Sequence, residues 1–255
     1  MRETTRRMFL GLLAGFPLAA TGLRVEAREA AMARLIREAR GYQTMSRRID
    51  FISHALLGKP YRGHTLVGGP RQQEIFVLRD DVFDCVTYTE AVLAAAIASG
   101  YPDYAEVLKR IRYAGGEVRW AERNHDFAQW SRNAVANKIC RPLGIGPSVL
   151  LRKRLTGDGL GRRQYEIPAI NVAAMFVNQK ELRAGDVIGF VSRRAELDFF
   201  HVGFVAFNAR GTLMLRHASR NKGRVLDEDM ASFIFRTGVT YVTLLRPEEP
   251  AAALS

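Results

Sequence analysis

Cys85, His201 and His217 are the residues whose types and placing could do chemistry. Asp84-Cys85 stands where an acidic, extended stretch (residues 77–83) gives way to an apolar, helix-forming run (residues 87–97). A cysteine on the first turn of a helix meets free backbone N–H groups and the positive end of the helix dipole, and both favour its thiolate. The placing therefore predicts a nucleophile whose pKa is held low. His201 opens an alternating apolar segment, His-Val-Gly-Phe-Val-Ala-Phe, and His217 closes the next, Thr-Leu-Met-Leu-Arg-His, after a turn at residues 208–211. Two neighbouring antiparallel strands would then carry a general base and a second histidine to orient it.

The elements that must hold these three residues are helices first and strands second. Residues 27–40 form an Ala, Arg and Glu-rich helical pattern, and residues 45–57 a second, with Ile49, Ile52, Leu56 and Leu57 on one face. Gly58-Lys59-Pro60-Tyr61-Arg62-Gly63 breaks that helix, and an extended segment at residues 74–78 leads to the helix of Cys85. A further helix starts at Tyr101-Pro102, groups Tyr104, Val107, Leu108 and Ile111, and stops at Gly115-Gly116. Residues 120–136 have no clear period. Strand patterns follow at 169–176, 186–192, 200–207, 212–216 and 241–245. This order predicts an α+β domain with a mostly antiparallel sheet.

Composition narrows the partners. With 47% hydrophobic and 25% charged residues in a chain of 255, disordered and collagen-like classes are excluded and one sizeable core is expected. A net charge of +12 and a pI near 10.2 point to an anionic partner: nucleic acid, phospholipid or a cell-wall polymer. Aromatic ribonucleoprotein strands, zinc-finger spacings and an obvious helix-turn-helix are missing, so nucleic acid is not the expected ligand. Arg152-Lys153-Arg154 reads as a solvated basic face.

Thr5-Arg6-Arg7-Met8-Phe9-Leu10, followed by a mildly apolar stretch to Leu23, resembles a twin-arginine export signal. Gly11, Gly15 and Pro17 interrupt that stretch, which is too short for a confident membrane span. The expected organisation is a signal over residues 1–27, one catalytic domain over 28–250 whose residues 28–57 are a helical extension, and a tail at 251–255. Removing the signal takes away four arginines and two glutamates, so the mature chain keeps about +10. A periplasmic monomer that meets the membrane only during export is the corresponding expectation. Cys85 and Cys140 are read as free thiols, because pairing would destroy the nucleophile and twin-arginine cargo folds first in a reducing compartment. His54 and His64 have no third ligand at metal spacing, and no metal or other cofactor is expected.

Six motifs then occur in one order across roughly residues 45–246. They are Leu57-Gly58-Lys59-Pro60-Tyr61, Phe83-Asp84-Cys85-Val86-Thr87-Tyr88-Thr89-Glu90, Arg123-Asn124-His125-Asp126-Phe127 on to Trp130, Arg183-Ala184-Gly185-Asp186-Val187-Ile188, Leu197-Asp198 on to His201-Val202-Gly203, and His217-Ala218-Ser219. In that order they resemble the N-acetylmuramoyl-L-alanine amidase-like branch of the NlpC-type, papain-like cell-wall cysteine peptidases. The resemblance implies a nucleophile helix packed on the sheet, with Cys85 as nucleophile, His201 as base and acid, and His217 holding the His201 ring. It implies Tyr61 as an oxyanion partner, with Asp84, Arg123, His125, Trp130 and Asp198 near the groove. Peptidoglycan or its muropeptides would be the substrate, cut between N-acetylmuramic acid and L-alanine through a thioester. Val86 and Phe200 replace serines common in other branches, and Val86 argues against a cleavage that needs a free terminal amine. A γ-D-glutamyl-diamino-acid endopeptidase or a thiol acyltransferase would use the same residues. A basic wall-binding or nucleic-acid-binding protein is the non-enzymatic alternative.

Overall fold

The computed structural model describes residues 18–156 and 160–249. Most of the expected export signal, residues 157–159 and the 251–255 tail lie outside the described residues. Leu18–Ala39 is one helix, α1, which runs across the expected end of the signal at residue 27, and Met45–Ala55 is α2. Met32, Ile36, Met45, Ile49 and Ile52 are buried in the main core, so the expected extension is packed into the domain. No helix among the described residues is long and apolar enough to cross a membrane.

A short hairpin, β1 (Val67–Gly69) and β2 (Gln72–Ile75), precedes α3 (Cys85–Ile97) and α4 (Tyr101–Arg112). The unassigned stretch after it holds a short 3₁₀ turn at Trp120–Glu122 and α5 (Phe127–Ala136). α3 is apolar all round, as a helix buried on every side must be. Its one acid, Glu90, is neutralised by Arg112 of α4 at 2.8 Å, both side chains almost wholly buried.

The remaining chain forms β3 (Cys140–Pro142), β4 (Ser148–Leu155), β5 (Arg163–Asn171), α6 (Val172–Val177), β6 (Val187–Val191), β7 (Phe199–Phe207), β8 (Leu213–Ser219), β9 (Arg224–Asp229), α7 (Met230–Thr237) and β10 (Tyr241–Pro247). The strands make one sheet in the order β4-β5-β10-β6-β7-β8-β9, with β3 beside β10 and each of its pairings antiparallel. The architecture is thus α+β with a mainly antiparallel sheet. One core cluster joins the sheet to α1–α5, and a second lies under α6 and α7. β6 is buried along its whole length because both faces are covered.

Two local expectations need correction. The apolar run at 169–176 is the end of β5 followed by α6; Asn171 ends the strand, its side chain accepting from the Ala173 N–H as a helix cap. Lys153 is not on a solvated face. β4 turns it inward, where its ammonium donates to the carbonyls of Ser192 and Arg194 at 2.5 and 2.7 Å.

Candidate active site

Cys85 is the first residue of α3, and Asp84 is its N-cap. The Asp84 carboxylate accepts the Thr87 N–H at 2.8 Å, while the Asp84 N–H donates to the Thr87 hydroxyl at 2.9 Å. Asp-x-x-Thr is a capping box, and it fixes where the helix starts and how the thiol leaves it. Asp84 was expected to touch substrate; its carboxylate is instead committed to this cap.

The thiol is a free, half-buried group, and its pKa is not low. Burial pushes Cys85 up to about 12, and the Asp84 charge pushes the same way. The backbones of Val202, Val86 and Cys85 itself favour the thiolate and oppose the rise without cancelling it. The helix start supplies the donors that the sequence implied, but desolvation outweighs them. Burial thus favours the neutral thiol at Cys85.

Val202 is in the middle of β7, beside His201. β7 and β8 are paired from Phe204 opposite Arg216 to Phe207 opposite Leu213, and no pairing continues beyond Phe204 toward His201. β7 also carries one extra residue here, since Phe190 of β6 opposes His201 while Val191 opposes Phe199. Past the last paired residues, an imidazole contact joins the strands: His201 Nε2 and His217 Nδ1 are 2.5 Å apart. The rings meet edge to face, and both pack against Phe233 of α7.

Burial holds both imidazoles neutral, with His201 lowered to about 3 and His217 to about 4. For His217 the nearby Glu228 acts in the opposite direction without overcoming burial. Nε2 of His217 stands 3.3 Å from Oε2 of Glu228, whose other oxygen is held by Arg236 at 2.5 Å. Nothing in the acidic run Asp227-Glu228-Asp229 singled out Glu228, since such a run usually reads as solvated surface.

Tyr61 is also brought to the thiol. Its N–H donates to the Gly223 carbonyl at 2.8 Å, and Pro60 bridges to Arg224, so the β8–β9 turn straps this segment beside the start of α3. Burial raises the phenol pKa, with Cys85 and Asp84 adding to the rise and Arg220 of the same turn opposing it.

The other expected groove residues are engaged elsewhere. Arg123 binds the buried Glu74 carboxylate at 2.9 Å, and Tyr113 donates to the same oxygen at 3.0 Å. Trp130 is 1% exposed and stacks on Phe127, which leaves it no surface to offer a ligand. Asp198 is buried and accepts the Ala128 N–H at 2.7 Å, holding the first turn of α5. His125 packs on Trp120, its Nε2 lying 2.7 Å from the Trp120 carbonyl. Polar and aromatic residues in an irregular stretch suggest a groove, but here the same types satisfy buried partners. Among the described residues no group of three or more His, Cys, Asp or Glu side chains is placed to hold a metal ion.

A family model described as AmiA-like, N-acetylmuramoyl-L-alanine amidase-like, matches residues 51–238, a span that includes Cys85, Tyr61, His201 and His217. The chain belongs to this family. Its membership associates it with amidase-like hydrolases of peptidoglycan. The fold is similar to that of a Legionella pneumophila protein, with a TM-score of 0.77 and 20% identity over 90% of this chain and 98% of that one. It is also similar to an N-acetylmuramoyl-L-alanine amidase from Bacteroides uniformis, with a TM-score of 0.68 and 20% identity over 80% of this chain and 99% of that one. No curated protein matches the sequence.

Proposed function

We propose that this AmiA-like chain is a cysteine amidase that releases peptide from peptidoglycan fragments at the bond between N-acetylmuramic acid and L-alanine. The observation that carries the reading is the convergence at the start of α3. Cys85 opens that helix, the backbone of Val202, the residue next to His201, favours its thiolate, and His201 and His217 bridge the strands just past their last pair. Family membership supports the substrate class.

In this mechanism neutral His201 takes the Cys85 proton as the sulfur attacks the amide carbon. A thiol at about 12 and an imidazole at about 3 do not form an ion pair at rest, so proton transfer accompanies attack. The oxyanion meets the N–H groups at the helix start, and the Tyr61 hydroxyl is the candidate side-chain donor. Collapse breaks the C–N bond, and the leaving amine of L-alanine takes the proton from His201. Water, deprotonated by His201, then cleaves the thioester and restores the thiol. Val86 beside the nucleophile fits a substrate that presents no free amine there.

Export by a twin-arginine signal to the periplasm completes the proposal, since peptidoglycan is found there. Replacing Arg6 and Arg7 together by lysine would keep the protein in the cytoplasm if that signal operates. Mass spectrometry of defined muropeptides tests the activity. Free peptide beginning at L-alanine plus intact disaccharide, absent with Cys85→Ala, supports the amidase; cleavage after D-glutamate would instead indicate the endopeptidase.

A further inference from the structure

We infer that Glu228 is a positioning residue that fixes the tautomers of both imidazoles, so that Nδ1 of His201 is the unprotonated nitrogen that acts as base. The inference rests on the proposed role of His201 and extends it by one residue and by the choice of nitrogen.

Strand register brings the groups together. His217 opposes Leu226 across β8 and β9, and Glu228, two residues on, opposes Leu215, so both project to the face covered by α7. Arg216 and Asp227 point to the other face, where Arg216 binds Asp50 and Ser53 of α2. Nε2 of His217 and Oε2 of Glu228 are both buried and face each other at 3.3 Å, and neither has a hydrogen-bond partner among the described residues. Two such atoms left unmatched would be costly, which favours a proton between them. Arg236 of α7 anchors the second carboxylate oxygen.

A carboxylate held by a guanidinium has only lone pairs to offer, so the proton belongs to His217 Nε2. In a neutral imidazole the other nitrogen, Nδ1, is then an acceptor. Its partner at 2.5 Å, Nε2 of His201, must therefore donate, and Nδ1 of His201 is left bare. One carboxylate on β9 thus selects, through two rings, the nitrogen available on β7. The charged and titratable groups around His217 are Glu228 and Asp227 from β9, Arg236 from α7 and His201 from β7.

Nitrogen-15 NMR of the histidine rings of the whole protein at neutral pH reads the tautomers directly. The expected spectrum has both rings protonated on Nε2. Glu228→Leu should release His217 to the Nδ1-protonated form, reverse the contact and move the His201 proton to Nδ1. Its kcat should fall about 10²-fold to 10⁴-fold with KM unchanged, the scale set by a triad whose orienting acid no longer holds the tautomer. Glu228→Gln keeps an acceptor oxygen and should recover the tautomers and most of the rate. Wild-type rings protonated on Nδ1 would overturn the inference, as would a Glu228→Leu spectrum and kcat equal to wild type. If Glu228→Leu does not fold, the wild-type and Glu228→Gln spectra still decide. If the wild type turns over no muropeptide, the proposed function fails, while the ring spectra continue to judge the role of Glu228.

Discussion

Cys85 and Val202 belong to different layers of the molecule, yet the Val202 backbone favours the Cys85 thiolate. Val202 lies where the pairing of β7 with β8 has already ended. Val202 is the residue next to His201 in β7. The state of the thiol follows from the same burial.

With Cys85 pushed up to about 12, its alkylation by iodoacetamide should be slow at neutral pH and should accelerate about tenfold per pH unit through the alkaline range. A rate plateau extending through pH 5–7 would mean a thiolate–imidazolium pair and would contradict the neutral resting state.

Replacing Cys85 by serine should reduce muropeptide cleavage by about 10⁴-fold or more, because a neutral hydroxyl on the same helix start is a far weaker nucleophile. The change is nearly isosteric, so the thermal midpoint should stay within a few degrees. Substantial turnover by this variant would remove the thioester route.

The two imidazoles make the fold sensitive to acid. Their folded pKa values, about 3 for His201 and about 4 for His217, lie below the unfolded value of 6.5, so the unfolded chain binds protons that the folded one refuses. Their contribution to stability is present above pH 6.5 and is lost as pH falls toward the folded values. Each histidine should add about 1.4 kcal/mol of loss per pH unit within that window. Urea midpoints measured from pH 7 to pH 4 should decline, and His217→Gln should make the decline shallower; an unchanged slope would argue against a buried neutral ring.

Arg123→Met should lower stability by about 3–5 kcal/mol, since it strands the Glu74 carboxylate in the interior. The surviving folded fraction should keep its KM. A raised KM with an unchanged thermal midpoint would instead return Arg123 to the substrate groove.

The sequence by itself determined the local events. Asp84 followed three residues later by Thr87 starts a helix at Cys85; alternating runs made β7 and β8 visible; and the order of the motifs led to the amidase-like family. These signals are local in the chain, which is why they can be read without coordinates. α6 escaped because its apolar run continues β5 without a change of composition, and α5 because its polar residues obscure a buried face. What only the tertiary structure decided is which charges lose water. The dipole argument placed the thiol low, but burial beneath the sheet outweighs it. Arg123, Trp130 and Asp198 read as groove residues until Glu74, Phe127 and Ala128, distant in sequence for the first and third, are seen to occupy them. Glu228 reaches His217 only through the register of β8 with β9, a long-range pairing set by which faces the helices cover.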